Sequence, residues 1–336
     1  MAVVFMEGFD HLSAAQLPSK GWSVVMNIVA GRFGGQAAQV TYSTGTSSRA
    51  LPGAYSTYIH GQALLLPYAA IETVIALRSG ATNVVRLTTV TSGPNVVFRL
   101  INASGTVLAT GTTPIRASVW YYVEMKVVVH ASAGTVELRL NGSSTAECSA
   151  TGVNTGSSNI DNVLLSAEYY SGMVTQSDDM YGVDTTGSAP TNTWLGEVRV
   201  CTLIPNGNGA NTAWGGTGTG GFGEWDDITA HDDDTTYVSS STPGDRETST
   251  LTDLSAATST VFAVQTNLVA RKDDAGTRTI APVVVIGGTP YDGTTTAALS
   301  SSYADYTQLY DRLDPSGATW TASTVNAMET GVKEIA

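Results

Sequence analysis

The densest group of chemically active side chains in the sequence is an acidic cluster in its second half. It consists of Asp226, Asp227, His231, Asp232, Asp233 and Asp234. Calcium prefers about six to eight oxygen ligands, and a loop with this many carboxylates supplies several of them. The ligand spacing of an EF-hand is absent, and consecutive residues of a strand point to opposite faces. We therefore favour a solvated acidic loop and keep a calcium site at Asp232, Asp233 and Asp234 as the alternative.

Aromatic side chains form three groups that could stack on sugar rings. The groups are Tyr55, Tyr58 and Tyr68; Tyr169 and Tyr170; and Trp214, Phe222 and Trp225. Sugars stack on exposed rings, whereas most aromatic side chains of a β-sandwich lie in its core. A core position is therefore the default for each group. The residues that we carry forward as candidate glycan contacts are Tyr55, Tyr58, Trp214 and Trp225.

Histidines and cysteines, which commonly hold metals or carry out catalysis, are scattered. They are His11, His60, His130 and His231, with Cys148 and Cys201. Neither set has the spacing of a zinc site. Two cysteines are also too few for a disulfide framework in a chain of 336 residues, so we expect free thiols. Apart from the calcium alternative, we expect no cofactor.

The elements that must position these residues are strands. Runs of β-branched or aromatic residues end repeatedly in Gly, Asn or Pro, and no segment of comparable length shows a sustained helical repeat. The clearest hairpin runs from Val119 to Val129, turns at 131–134 and returns over Thr135 to Leu140. Asn141 and Gly142 then supply positive backbone angles for the next turn. The pattern predicts an all-β chain with little helix.

Length and turn signals predict two tandem antiparallel β-sandwich (jelly-roll) domains. A chain of 336 residues exceeds the usual size of a single domain. Trp194 to Val200 is the predicted last strand of the first domain, and the turn-rich segment that starts at Pro205 marks the boundary. The predicted domains are residues 1–205 and the acidic residues 206–336.

The second domain contains further strand patterns. Val261 to Ala270 places its apolar side chains on one face, and Ile280 to Ile286 is its predicted hairpin partner across a turn-forming segment. Tyr303 to Leu313 and Val325 to Ile335 are predicted to complete the sheets, with Trp320 in the core.

Composition and charge argue against two classes of partner. Hydrophobic residues make up 42% of the chain and charged residues 13%, which favours a folded chain. The net charge is -13, and residues 206–336, with six basic and 17 acidic side chains, carry -11 of it. This surface repels phosphate backbones and anionic lipid, so we expect no nucleic-acid partner. Apolar runs such as Ala63 to Leu66 fall far short of the roughly 20 residues that span a bilayer, so we expect no membrane insertion.

The apolar start of the sequence has the pattern of a strand. Met1 to Met6 has no basic segment before it and is interrupted by Glu7, so it does not fit a signal peptide. We predict the first strand here.

Three sets of motifs in the first domain carry a resemblance to a known family. They are Glu7-Gly8-Phe9-Asp10 with Gly31-Arg32-Phe33-Gly34-Gly35-Gln36-Ala37; Trp120-Tyr121-Tyr122-Val123-Glu124-Met125-Lys126 with Gly134-Thr135-Val136-Glu137-Leu138-Arg139-Leu140-Asn141-Gly142; and Ile160-Asp161-Asn162-Val163 with Asp178-Asp179-Met180-Tyr181-Gly182-Val183-Asp184. They resemble the opening, the central hairpin and the end of concanavalin A-like (lectin) and laminin-G-like domains. The resemblance covers about residues 1–205 and implies a two-sheet jelly roll.

A further set of motifs spans the predicted boundary. It consists of Leu195-Gly196-Glu197-Val198-Arg199-Val200, Pro205-Asn206-Gly207, Asp232-Asp233-Asp234-Thr235-Thr236-Tyr237-Val238 and Ala270-Arg271-Lys272-Asp273-Asp274-Ala275-Gly276. Together these motifs are similar to a two-domain protein often found among the structural genes of tailed bacteriophages. The resemblance implies a place in the virion, with the tail, the neck and the capsid exterior as the alternatives.

The concanavalin A-like fold also includes glucanases, and their catalytic pattern is missing. The catalytic strand of those enzymes resembles Glu-x-Asp-x-x-Glu, because two carboxylates must flank the glycosidic bond. No such triplet occurs here: Glu7 and Asp10 have a different spacing, and Glu197 has no acidic partner on its predicted strand. We therefore expect no enzymatic activity, and a polysaccharide-degrading enzyme is the disfavoured third alternative.

The resemblances imply an external structural component of a tailed-phage virion, in the tail, the neck or a fibre-associated position. It would be made in the host cytoplasm, bind other virion proteins and itself as a symmetric homo-oligomer, and contact host surface polysaccharide. The main alternative is a capsid decoration (cement) protein that binds no glycan. The lack of coiled-coil heptads or a β-helical repeat favours that alternative, because a long fibre needs a shaft.

Overall fold

The computed structural model describes residues 3–66, 73–167, 173–217, 233–255, 258, 260–313 and 317–336. The chain divides into two compact units, Met1–Val200 and Cys201–Ala336. The boundary predicted at 205 coincides with the start of the first strand after this division, Pro205–Thr212.

The first unit consists of antiparallel strands and a short 3-10 helix at Ala14–Gln16. Its strands are β1 (Val3–Glu7), β2 (Asn27–Ala30), β3 (Gln36–Thr41), β4 (Thr46–Tyr55), β5 (Thr57–Leu65), β6 (Ile75–Ser79), β7 (Thr82–Ser92), β8 (Asn95–Asn102), β9 (Val107–Thr110), β10 (Trp120–Val128), β11 (Gly134–Leu140), β12 (Cys148–Val153), β13 (Ile160–Ser166) and β14 (Val174–Val183). An eight-stranded sheet has the order β12-β11-β10-β5-β14-β3-β2, with β1 also paired to β14. A six-stranded sheet has the order β4-β13-β6-β7-β8-β9.

The two sheets of the first unit enclose one hydrophobic core. Val123 and Met125 of β10 lie in it, as do Leu77, Leu87 and Leu100 of the six-stranded sheet, and all five side chains are buried. Successive strand residues point to opposite faces, so each sheet presents one apolar face to the other. The first unit is therefore a two-sheet jelly-roll sandwich.

The central hairpin of this unit forms as the sequence predicts. β10 pairs with β11 in antiparallel register, with Val123 opposite Leu140 and Val128 opposite Thr135. β12 continues the meander on the far edge of β11. Asn141, at φ 51°, takes the left-handed backbone conformation predicted for the turn after β11.

The second unit is also built of antiparallel strands. They are β15 (Pro205–Thr212), β16 (Gly215–Gly216), β17 (Val238–Ser239), β18 (Arg246–Leu251), β19 (Val264–Ala270), β20 (Ile280–Ile286), β21 (Thr289–Asp292), β22 (Ala304–Tyr310) and β23 (Glu329–Glu334), with the helix α1 (Ala322–Asn326) before the last strand. Five strands form a sheet in the order β15-β18-β23-β20-β21, while β19 pairs with β22 and β16 with β17.

The core of the second unit lies between the five-stranded sheet and the β19–β22 pair. Leu251 and Val284 come from the sheet, and Val264 and Tyr310 come from the pair. Trp320 is buried in the same core, as predicted. The described chain is therefore all-β, with two antiparallel β-sandwiches and little helix, which confirms the predicted fold class.

The predicted hairpin of the second domain is wrong. β19 pairs with β22, with Val264 opposite Tyr310, and β20 pairs with β21 and β23. The residues of β20 from Ile280 to Val285 are all buried, which is typical of a strand covered on both faces. The alternating pattern identified the strands correctly but carries no information on their partners.

The predicted strand Trp194 to Val200 is also wrong, because this segment is irregular. β14 has no free edge to offer it: β5 pairs with one side of β14, and β3 and β1 pair with the other. The segment instead crosses the face of the sheet and bonds to side chains. A smaller correction concerns the predicted strand Val325 to Ile335, which begins later because α1 continues to Asn326.

Within the described part of the chain, no helix has the length and apolar composition needed to cross a membrane.

Candidate functional site

The eight-stranded sheet has a second face, away from the core, that we call the outer face. Val123 and Met125 of β10 point into the core, so Tyr122 and Glu124 lie on the outer face. Tyr122 and Glu124 are nevertheless buried, at 0% and 1% exposure. A buried carboxylate needs hydrogen-bond partners, since burial without them is costly. Another part of the chain must therefore cover the outer face.

The covering part is the irregular segment 194–200, which we call the strap. The backbone N–H of Gly196 donates a hydrogen bond to Glu124 Oε1 over 2.9 Å. The N–H of Leu195 donates to the hydroxyl of Tyr181 over 3.3 Å, and that hydroxyl donates to the same Glu124 oxygen. The strap thus satisfies its backbone donors with side chains of the sheet instead of with a neighbouring strand.

The residues of the sheet that the strap contacts form what we call the strap's seat. A β-bulge in β14 is part of this seat. Asp178 lies opposite Ala63 of β5 and Tyr181 lies opposite Gly61, so β14 contains one residue more than its partner. Asp179, inside the bulge, has a φ of 51°, a conformation that residues other than glycine seldom adopt. Bulges re-aim side chains beside functional sites, and this one holds two consecutive carboxyl groups in buried positions.

Asp179 connects the sheet, the strap and a neighbouring loop. Its Oδ1 accepts a hydrogen bond from the N–H of Val200 over 2.8 Å. Its Oδ2 lies 3.9 Å from Nη1 of Arg32, and neither of these buried atoms has a hydrogen-bond partner among the described residues. Burial, together with the negative charge of Asp178, raises the pKa of Asp179 to about 7. The Asp179 carboxyl group is thus protonated more readily than an exposed aspartate.

Asp178 and Asp10 fix the loop that carries Arg32. Asp178 Oδ2 accepts from the Arg32 N–H over 2.9 Å, and Asp10 Oδ1 accepts from the Gln36 N–H over 2.6 Å. A Cβ at Gly35 would overlap the Asp10 carboxylate, so this approach requires glycine. Burial raises the pKa of Asp178 to about 6 and also raises the pKa of Asp10.

Aromatic rings and guanidinium groups of the strap and of the neighbouring residues contact one another, and we call them the arginine–aromatic surface. Phe33 is 51% exposed, with the guanidinium of Arg32 at 4.6 Å from its ring centroid and that of Arg199 at 5.1 Å. The guanidinium of Arg139 lies 4.2 Å from the ring centroid of Trp194. Such contacts hold the rings and the cations in fixed relative positions.

Two of these three cations are already paired. Arg32 bonds to Glu197, and Arg139 bonds to Glu137 over 2.7 Å. Arg199 is exposed and forms no ion pair with any residue that the structure describes. The surface therefore offers the exposed ring of Phe33, the half-buried ring of Trp194 and, in Arg199, a guanidinium that no carboxylate of the described residues binds.

The carboxyl groups of the outer face are closed to solvent by the strap. Glu124 and Asp179 are 1% and 2% exposed. Burial raises the pKa of Glu124, and the hydrogen bonds from Tyr181 and Gly196 counteract part of that rise. A glycosidase needs an acid and a second carboxylate on either side of an accessible bond. In this conformation neither Glu124 nor Asp179 is open to a substrate.

Two of the predicted glycan contacts lie at the edge of the first core. Tyr58 is completely buried, and its ring stacks on those of Tyr55 and His60. Tyr58 as a glycan contact is therefore a correction, because its ring faces the sheet interior next to Gly182. Tyr55 is half-buried and packs against the same core.

The other two predicted glycan contacts belong to the second unit. Trp214 is half-buried and packs against a small core cluster with Ile280, Leu299 and Val332. Trp225 lies outside the described residues, so its role stays a prediction.

The acidic cluster predicted as a calcium alternative is bound by the chain's own side chains where it is described. Asp234 Oδ1 pairs with Arg271 over 2.6 Å and accepts a hydrogen bond from the Tyr303 hydroxyl over 3.0 Å. That hydroxyl also contacts the carbonyl oxygen of Asp233, and Asp232 lies outside the described residues. The described residues contain no group of three or more His, Cys, Asp or Glu side chains arranged to hold a metal.

Sequence reasoning missed the residues that build the outer face. Arg32 and Phe33 belonged to a motif that carried the resemblance, and neither was a site candidate. Two signals could have found this face. Glu124 stands between the apolar residues Val123 and Met125 of its strand, and Asp178 and Asp179 are consecutive acids next to strand-forming residues. Acidic residues at such positions indicate buried carboxyl groups that accept hydrogen bonds from other parts of the chain.

No protein-family model matches the sequence, and no curated protein sequence matches it either. Several solved structures resemble the fold at low identity. Domain 4 of AbnA, an extracellular GH43 arabinanase from Geobacillus stearothermophilus, is 16% identical over 54% of this chain and 92% of its own, with a TM-score of 0.38. The exoplasmic/lumenal domain of VIP36 is 12% identical over 51% of this chain and 88% of its own, with a TM-score of 0.34.

A third similar structure is the heptameric SAP-like pentraxin from Limulus polyphemus. It is 16% identical over 38% of this chain, with a TM-score of 0.30. The match spans 64% of the pentraxin chain.

Proposed function

We propose that this protein is a non-enzymatic structural component of the exterior of a tailed-phage virion, and that its first unit contacts glycans on the host surface. The observation that carries the proposal is the use of the outer face. Its buried carboxyl groups hold the chain's own strap, and Phe33 and Arg199 of the arginine–aromatic surface stay exposed. In this role the protein needs no cofactor, binds other virion proteins and assembles as a symmetric homo-oligomer.

The absence of catalysis is supported by how the carboxyl groups are used. Glu124 accepts hydrogen bonds from the strap and from Tyr181, and Asp179 accepts one from Val200. These bonds give the two acids structural roles in the closed conformation. The experiment is incubation of the purified protein with host polysaccharide, for which we expect no release of reducing ends. Release that depends on Glu124 would overturn this part of the proposal.

Glycan contact is supported by the arginine–aromatic surface. Phe33 offers an exposed ring, and Arg199 offers guanidinium donors that suit hydroxyl and carboxylate groups of sugars. We expect the protein to bind host cells or isolated host glycans, and F33A and R199A to weaken that binding. The matched control is Y42A, because Tyr42 is a 46% exposed aromatic residue of the same unit outside this surface. Equal binding by all three variants would reject the surface.

A capsid decoration protein that binds no glycan is the second candidate. One observation favours it: the strands that the structure describes form compact antiparallel sandwiches and contain no repeat that could extend into a fibre shaft. Gold-labelled antibody on intact particles separates the two candidates. Label over the tail, neck or fibres supports the proposal, whereas label over the head together with no glycan binding supports the decoration role.

A further inference from the structure

The seat of the strap contains two neighbouring buried carboxyl groups, and both of them contact Arg32. Asp178 and Asp179 are consecutive residues of the β14 bulge and are 5% and 2% exposed. Arg32 faces both of them: its backbone N–H bonds to Asp178, and its guanidinium lies 3.9 Å from Asp179. That guanidinium also bonds to Glu197 of the strap. The guanidinium is thus shared between two carboxyl groups, Asp179 and Glu197, whereas the contact to Asp178 is made by the Arg32 backbone.

We propose that the strap is a pH-sensitive latch, which closes over the outer face while the Asp178–Asp179 pair holds a proton and loosens as both carboxyl groups ionise. This device goes beyond the proposed function, because it concerns how the outer face is covered. The strap also carries Trp194 and Arg199 of the proposed glycan surface, but the latch is tested on the protein without any glycan.

Charged and titratable groups surround Asp179 on every side. They are Asp178 of the same strand, Arg32 of the loop before β3, Asp10 of the loop after β1, Glu124 and Tyr122 of β10, Tyr181 of β14, and Glu197 and Arg199 of the strap. The Tyr122 hydroxyl donates to the backbone carbonyl of Asp179 over 3.0 Å, so it does not neutralise the carboxylate. Among the residues that the structure describes, Arg32 is the one cation within ion-pair distance of Asp179.

The direction of the pH effect follows from the raised pKa of Asp179. In the closed form its pKa is about 7, with burial as the main cause and the charge of Asp178 as the second. When the strap leaves, water reaches the carboxyl group and its pKa falls toward the ordinary value of about 4. The closed form therefore binds more protons than the open form between these values. Closure is strongest in acid, weakens as the pH rises to about 7, and changes little above that.

Close van der Waals contacts also hold the end of the strap against the loop after β1. A Cβ on Gly8 would lie 2.8 Å from Val200 Cβ, so the end of the strap touches the backbone of the loop after β1. The apolar side chains of the strap, Trp194, Leu195, Val198 and Val200, are half-buried, while Glu197 and Arg199 are exposed. The hydrogen bonds to Glu124, Tyr181 and Asp179 fix the strap's backbone, and the ionisation of Asp179 acts on one of these three attachment points.

Hydrogen exchange on the full-length protein tests the latch directly. The readout is the protection of the Leu195, Gly196 and Val200 amides, corrected for the intrinsic pH dependence of exchange. If Asp179 regains its ordinary pKa on opening, linkage predicts up to about a 70-fold loss of protection between pH 5 and pH 7.5. We expect a loss of at least about fivefold, while amides of the β7–β8 hairpin lose less.

Two variants separate the latch from a general loss of stability. D179N keeps an oxygen that can accept from the Val200 N–H and removes the titration, so its protection should stay nearly constant over this range. D184N is the matched control, because Asp184 is an Asp of the same unit that bonds within its own turn to Thr186. It should behave like the unmodified protein. A loss below about fivefold in the unmodified protein, or an equal loss in D179N, overturns the proposal.

Discussion

The ring of Tyr181 lies directly over Gly61 of the neighbouring strand. A Cβ at position 61 would overlap the ring carbons of Tyr181, so the ring occupies the space that any other residue would fill. This position lets the Tyr181 hydroxyl reach Glu124 and accept the N–H of Leu195. A glycine in the middle of β5 therefore sets the geometry of the strap's seat.

Replacement of Gly61 by alanine should displace the Tyr181 ring. We expect G61A to lower the free energy of unfolding by about 1–3 kcal/mol, the usual cost of overpacking. Urea unfolding followed by circular dichroism measures the change. G215A is the control, because a Cβ at Gly215 meets no atom of the described residues within 4 Å. A G61A protein as stable as the unmodified one would show that the ring can move without cost.

Two substitutions of Glu124 should have different effects. E124A leaves the Tyr181 hydroxyl and the Gly196 N–H without their acceptor, so we expect a loss of about 1–3 kcal/mol in the free energy of unfolding. E124Q keeps an acceptor oxygen and removes a charge that burial disfavours. We expect E124Q to be more stable than E124A at pH 7, as measured by urea unfolding. Equal losses would mean that the charge itself is required.

The pH dependence of E124Q has a defined sign. Because the pKa of Glu124 is raised in the folded protein, its ionisation costs stability as the pH rises through that value. The stability of E124Q relative to the unmodified protein should therefore increase from pH 4 to pH 8. A relative stability that decreases over this range would contradict the assigned cause.

The buried ion pair between Glu7 and Arg49 should be the most sensitive charge contact of the first unit. Burial by itself would raise the pKa of Glu7. The positive charges of Lys20, Arg49 and His11 together outweigh this effect, so the pKa of Glu7 is lowered. R49A leaves a fully buried carboxylate, so we expect a loss of about 3–5 kcal/mol in the free energy of unfolding.

The control for R49A is R139A, which removes a more exposed ion pair. The side chains of Arg139 and Glu137 are 20% and 29% exposed, so this pair should contribute no more than about 1 kcal/mol. The stability that Glu7 contributes is present above its unfolded pKa and is lost as the pH falls through its folded pKa. The cost of R49A should therefore shrink in acid, and a cost independent of pH would contradict this account.

Calcium should not change the stability of the second unit. Arg271 and the Tyr303 hydroxyl already bind Asp234, and this environment lowers the pKa of Asp234. A cation would have to displace the Arg271 guanidinium. We expect the melting temperature to be the same in millimolar calcium and in chelator. A calcium-dependent rise that R271A does not reduce would place a site elsewhere in the acidic cluster.

The sequence predicts the strands better than it predicts their neighbours. Val123 and Met125 alternate with Tyr122 and Glu124, and this pattern together with the turn at Asn141 was enough to place the central hairpin. The same alternation in Trp194 to Val200 predicted a strand that does not form. Period-two patterning reports which side chains share a face, whereas pairing depends on which strand edges are free. β14 has no free edge, because β1, β3 and β5, which are distant from it in sequence, already pair with it.

The candidate site was harder to predict than the fold. Tyr58 is an aromatic residue of the type that binds sugars, but it lies in the core. Phe33 lies in a glycine-rich loop and is exposed. Residue type does not determine exposure at the edges of a sandwich, because the loops decide what is covered. The raised pKa values of Asp178 and Asp179 likewise arise from the strap and the Arg32 loop, which are remote in sequence.

The measurement that tests the central claim most directly is antibody labelling of intact, purified virions from the host that carries this gene. The account predicts that gold-labelled antibody against this protein decorates the outside of the particle, at the tail, the neck or the fibres. Particles that bind no antibody, with the protein found among non-particle proteins of the infected cell, would contradict it.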